Sequence, residues 1–167
     1  MSSHDSATQP TRSRQRHNTS TAQTFTATFE PGSTAHSAAV SAIRSNASGS
    51  GSEGQTRGII AFYYPGSTGG QRGAELIAEN LREIYPLPNR VSTRATTTLG
   101  EVARSRFPAV LVEIGYHDNY SDALWLESHV EDVARQLVKA LTEYFGLPFI
   151  QPMDPVRGTV RVSYGTL

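Results

Sequence analysis

The sequence predicts an α/β layered fold, and three segments carry that prediction. Gly58–Tyr64 is a short apolar and aromatic run closed by Pro65-Gly66, the pattern of a buried strand ending in a turn. Pro108–Gly115 is a continuous apolar run holding a single carboxylate, Glu113. Continuous rather than alternating character marks a strand covered on both faces, as in parallel sheets. Beyond residue 128, Val130, Val133, Leu137, Leu141 and Phe145 follow helical spacing, so a long amphipathic helix closes the domain. Strands separated by helices, with right-handed crossovers between parallel neighbours, make a layered sheet.

Taken in order, residues 1–37 hold fifteen Ser or Thr but few large apolar side chains, too little apolar surface to offset the entropy of ordering a chain. A disordered or unrelated tail is therefore expected over residues 1–40. Arg12, Arg14 and Arg16 within it read as a solvated segment rather than a basic patch. Asn46–Gly54 is rich in Gly and Ser and is expected to be a mobile connection. Over residues 71–85, Ala74, Ile77, Leu81 and Ile84 share one face and Glu75, Glu79 and Arg82 lie largely opposite. The spacing predicts an amphipathic helix stopped by Pro86. Ser128 with Glu131 three residues on has the form of a capping box, which places the start of the last helix at Ser128 and its end at Gly146. Residues 147–155 then read as a linker, and Val156–Leu167 as one or two strands of a further unit.

Composition closes several function classes. Fifteen basic residues balance fifteen acidic ones, so there is no electrostatic case for nucleic acid or an anionic membrane as partner. The absence of cysteine removes disulfides, thiolate metal sites and cysteine nucleophiles, without assigning a compartment. No apolar run is long enough to span a membrane, and the first residues lack the apolar stretch of a secretory signal.

Glu113 is the leading candidate for chemistry. A carboxylate late in an apolar strand is desolvated and needs a partner or a raised pKa, and sites in open parallel sheets form at the carboxyl ends of strands. The alternative is a structural Glu turned toward water or capping the next turn. His117, in the polar segment Gly115–Asn119, is placed to approach Glu113 as acid, base or ligand, although a loop histidine is more often simply exposed. His129 is expected at the surface. Pro65–Gly70 resembles a phosphate cradle but lacks the Gly-Lys-Ser/Thr ending, so a flexible loop is the better expectation.

These residues carry a resemblance. Pro108–Asn119, followed by Asp122-Ala123 and the helix ending Tyr144-Phe145-Gly146, resembles the C-terminal half of the zinc-dependent N-acetylmuramoyl-L-alanine amidases. Ser45-Asn46-Ala47, Arg57–Tyr64 and Leu99–Arg104 occur in that family's order, and the resemblance covers residues 41–146. It implies a mostly parallel twisted sheet flanked by helices, incomplete at its N-terminal side. It also implies cleavage of the amide between N-acetylmuramic acid and L-alanine in peptidoglycan. Zinc would activate water, and Glu113 would be the general base. The residues after Pro155 resemble the opening strands of an SH3-like cell-wall-binding domain.

The sequence departs from the family at the metal. The family takes zinc from two histidines and a glutamate, one histidine standing two positions before an asparagine. Here that position, ahead of Asn46, is Arg44, which does not give up its proton at ordinary pH. His36 stands eight residues earlier, roughly 26 Å along an extended strand. A catalytic zinc site needs three protein ligands and an open position, and the matched places supply none. The expectation is a truncated and impaired amidase, with a non-catalytic peptidoglycan-binding remnant as the alternative. Loss of opening strands would also expose a sheet edge through which copies associate.

Overall fold

The computed structural model describes residues 23–29, 37–49 and 51–151. Its elements are β1 (Gln23–Phe29), β2 (Ser37–Asn46), β3 (Ile59–Tyr63), α1 (Thr68–Arg82), β4 (Val91–Ala95), α2 (Gly100–Ala103), β5 (Ala109–Tyr116), α3 (Tyr120–Ser128) and α4 (Val130–Phe145). The five strands form one sheet in the order β1-β2-β5-β3-β4. The expected α/β class with flanking helices holds. The sheet is mixed: β2–β5 and β3–β4 are parallel, β1–β2 and β3–β5 antiparallel.

The two predicted strands are both present and both buried, because each is an unbroken apolar run. β3 and β5 pair directly, Ile59 opposite Ile114 and Tyr63 opposite Val110. β1 falls inside the stretch expected to be a disordered or unrelated tail. Gln-Thr-Phe-Thr-Ala-Thr-Phe alternates threonine with Phe or Ala, and β-branched threonine favours a strand where a composition count treats it like serine. The smaller β4 and the one-turn α2 carried no periodic signal.

Helix α1 begins earlier than its apolar spacing predicts. Ser67 caps it, its Oγ accepting the Gly70 N–H at 3.1 Å, so Gly69 and Gly70 lie within the first turn of the helix rather than in a flexible loop, while Gly66 stays in the turn before the cap. Gly69 is there for contact: a Cβ would come within 2.8 Å of Pro108 and 2.9 Å of the Tyr144 hydroxyl. The last helix differs too. Ser128 ends α3, its Oγ donating to the carbonyls of Leu124 and Trp125, and α4 starts at Val130 without a side-chain cap. Ser128 is spent on the preceding helix, so the capping box does not form there. At the other end Gly146 takes a left-handed conformation and closes α4 as expected.

The two faces of the sheet are unequal. Val110, Val112 and Ile114 of β5 face the large core that α1 and α4 complete with Ala74, Ile77, Leu81, Val133 and Leu137. Ala109 and Leu111 join a smaller cluster with Ala42, Ile60, Phe62 and Val102 of α2. Side chains alternate along a strand, so Glu113 projects on this second, thinly covered face. No helix among the described residues is long and apolar enough to cross a membrane. The expected linker beyond residue 151 and the strands of Val156–Leu167 lie outside the described residues, as do the arginines of the N-terminal segment and His36.

Candidate active site

Of the eight residues of β5, Glu113 is the one that is not buried. Its register partner on β2 is Arg44, and Tyr116 faces Asn46, with the register shifting between the two. Such a bulge re-aims side chains next to sites. Arg44 Nη2 donates to Glu101 Oε1 of α2 in an ion pair. The Asn46 side-chain oxygen accepts the Ala47 N–H at 2.8 Å, which leaves its amide group to act as donor. Arg94 of β4 lies over the Phe62 ring at 5.9 Å. One acid, one amide and two guanidinium groups thus converge beside Glu101.

Burial pushes the Glu113 carboxyl above the ordinary glutamate value; Arg44 pulls it down, Glu101 pushes it further up, and Asn46 and Arg94 pull it down without cancelling the rise. Desolvation raises the neighbouring Tyr116 hydroxyl in the same way, with the Glu113 charge adding to it. A carboxylate held above its usual range is a better proton acceptor near neutral pH.

A second acid, which sequence reasoning touched only through the family pattern, sits at the end of β5. Asp122 is fully buried. Its Oδ1 accepts from Arg57 Nε at 2.8 Å and from the Tyr85 hydroxyl at 2.7 Å. Its Oδ2 accepts the N–H groups of Gly58 at 3.0 Å and Tyr116 at 3.1 Å. The carboxylate therefore ties the start of β3 to the end of β5. Asn119 orients it by capping α3, its Oδ1 accepting from Ser121 and Asp122. The helix-start signature in this region is thus Asn119 with Asp122 three residues on, one helix earlier than the Ser128 pattern. Gly115 has φ of 67°, a conformation that L side chains rarely adopt.

The other candidates separate. His117 is exposed and faces Ser45 Oγ at 3.1 Å, so its hydrogen bond leads to β2 rather than to Glu113. His129 stacks on Trp125 with centroids 5.3 Å apart and bonds the Trp125 carbonyl. Around Asn46–Gly54 the described residues Ser48 and Gly54 are held by hydrogen bonds: Asp118 accepts their N–H groups, and Asn119 donates to the Gly54 carbonyl at 2.6 Å. Desolvation works to raise the Asp118 pKa, but these hydrogen bonds outweigh it and hold it below the usual aspartate value.

Whether these residues fit the zinc that the resemblance implies is decided by the donor set. No group of three His, Cys, Asp or Glu side chains able to hold a metal ion exists among the described residues. Beside Glu113 the polar neighbours are one further acid, Glu101, already paired with Arg44, two cations and an amide, and the Arg44 Nε is buried with no hydrogen-bond partner among the described residues. A guanidinium offers no lone pair to a metal. The described residues do not fit zinc.

Fold and site together define an α/β domain with a mixed sheet and a half-buried acid set late in a covered strand, beside polar partners on the neighbouring strands. The chain belongs to the N-acetylmuramoyl-L-alanine amidase family, whose sequence profile matches residues 15–143. That match includes β1, which composition assigned to the tail. None of the curated proteins matches the sequence. Among solved structures, the fold is similar to the CwlD amidase from Clostridioides difficile, solved in complex with the GerS lipoprotein (TM-score 0.56, 20% identity, 62% of this chain and 52% of that one). It is similar to the CwlV amidase catalytic domain from Bacillus (Paenibacillus) polymyxa (TM-score 0.52, 23% identity, 64% and 56%). The catalytic domain of the CD27L endolysin, which targets Clostridia difficile, gives a TM-score of 0.51 at 24% identity, over 60% and 52%. The chain spans about half the length of these structures.

Proposed function

We propose that the chain acts on peptidoglycan as part of an N-acetylmuramoyl-L-alanine amidase, with Glu113 as the base for cleavage of the amide between N-acetylmuramic acid and L-alanine. The observation that supports this most is Glu113 itself, half-buried in an otherwise buried strand and flanked by Arg44 and Asn46. In this role Glu113 takes a proton from the attacking water and passes it to the leaving amine. The family's reaction relies on zinc, and since the described donors do not fit it, no step here runs through a metal. General-base catalysis contributes roughly 10²–10⁴-fold, whereas enzymes as a class supply about 10⁶-fold or more. Cleavage by this chain alone is therefore weak.

A second reading, a non-catalytic peptidoglycan binder, is favoured by the Arg44–Glu101 ion pair, which keeps the site's charges engaged with one another. Release of peptides from purified cell wall, measured beside co-sedimentation with that wall, separates the two. Slow release abolished by Glu113→Gln, with co-sedimentation unchanged, is the expected result. Release that Glu113→Gln leaves intact removes Glu113 from the reaction, and no co-sedimentation at all removes peptidoglycan as the ligand. Self-association through an outer described strand, β1 or β4, belongs to the same proposal, and a monomeric profile in gel filtration would overturn that part.

A further inference from the structure

We propose that Arg44 is the resident cation of this site: its guanidinium balances Glu101 and Glu113 where the family's reaction relies on a metal, and a divalent ion is thereby kept out. The assignment rests on the family membership and on the contacts of Arg44, and it does not depend on whether the chain cleaves peptidoglycan. Arg44 lies opposite Glu113 in the β2–β5 register and is ion-paired with Glu101 on α2. Both side chains of that pair are largely covered, at 26% and 33% exposure. The Nε, buried and without a hydrogen-bond partner among the described residues, shows that the guanidinium is packed into the protein rather than laid across its surface.

The chemistry follows from what a guanidinium is. Two acids near one another favour a positive charge between them, and Arg44 supplies one that neither dissociates nor deprotonates. Arg94 adds a second positive charge from β4. A zinc ion entering here would meet two cations and would have to break the Arg44–Glu101 pair, leaving a partly buried guanidinium uncompensated. Sequence position adds to this: Arg44 stands two residues before Asn46, where the family pattern has a ligating histidine.

The test is metal content and thermal melting of the full chain, with zinc alone as the probe. The wild-type chain is expected to carry far less than one zinc per molecule after gel filtration, and to melt at the same temperature with chelator, with added zinc or with neither. Arg44→Gln leaves Glu101 and Glu113 without their cation; it is expected to melt lower, and to recover several degrees when zinc is added. Arg44→Lys keeps the charge and is expected to remain indifferent to zinc. Stoichiometric zinc in the wild-type chain, with melting lowered by chelator, would overturn the proposal. So would an Arg44→Gln chain that melts like wild type and ignores zinc. If Arg44→Gln does not fold, the wild-type and Arg44→Lys measurements decide: zinc bound tightly by either one defeats the assignment. Peptide release is scored separately, so failure here is distinguishable from failure of the amidase reading.

Discussion

Asp122 and Glu113 are both acids at the carboxyl end of β5, but the chain surrounds them in opposite ways. Asp122 receives four donors on its two oxygens, from Arg57, Tyr85, Gly58 and Tyr116. Glu113 keeps partial exposure and sits in a cluster whose central cation has a nitrogen with no hydrogen-bond partner among the described residues. A buried carboxylate with every lone pair engaged has nothing left to offer a substrate, and its worth lies in holding β3, β5 and α3 in place. Glu113 keeps room for a proton and a ligand. Perturbation by burial marks sites only in that second setting.

The comparison is broken most easily at Asp122. Asp122→Ala strips four donors of their acceptor and leaves Arg57 uncompensated; removing one partner of a buried pair costs about 3–5 kcal/mol, and urea denaturation should show a loss of that size. A loss below about 1 kcal/mol, the range of an exposed pair, would mean that Asp122 is no more structural than Glu113. Gly115→Ala comes next. Its added methyl meets Asp122 Cβ at an ordinary 3.5 Å, so the cost is conformational, about 1–2 kcal/mol for a left-handed L residue. Arg44→Gln should be milder, on the order of 1 kcal/mol for a pair that keeps some solvent contact.

This contrast also explains how much was legible in the sequence. β3, β5, α1 and α4 each carry their own evidence: an unbroken apolar run, or a stripe at helical spacing such as Val133, Leu137 and Ala140. Glu113 was visible for the same reason, as the lone acid in an apolar run. Helix α3, Tyr120–Ser128, has no apolar stripe and gave no periodic signal. Its cap was readable only as Asn119 with Asp122 and was overshadowed by the Ser128–Glu131 pattern. The Asp122 cluster joins residues 37 and 65 positions away, Tyr85 and Arg57, and the Arg44–Glu101 pair spans 57. Periodicity reports local faces; ion pairs across the sheet depend on strand order, which it does not contain.

The smallest expected effect has the opposite sign and sharpens the comparison most. Burial raises the Glu113 pKa in the folded chain, so folding favours its protonated form. The stability tied to this group is fully present below the ordinary glutamate pKa and is lost as pH rises through the raised value. Glu113→Gln removes that loss, because a neutral amide in the same half-buried place bears no charge to desolvate. The variant should therefore match wild type in acid and exceed it slightly at neutral pH, with the gap opening as pH rises; paired denaturation curves across that range measure it. A variant less stable than wild type at neutral pH would show that Arg44, Asn46 and Arg94 more than offset the cost of burial. Glu113 would then be held by its neighbours as Asp122 is, and the distinction between a saturated scaffold acid and a working one would fail at the residue on which the proposed chemistry depends.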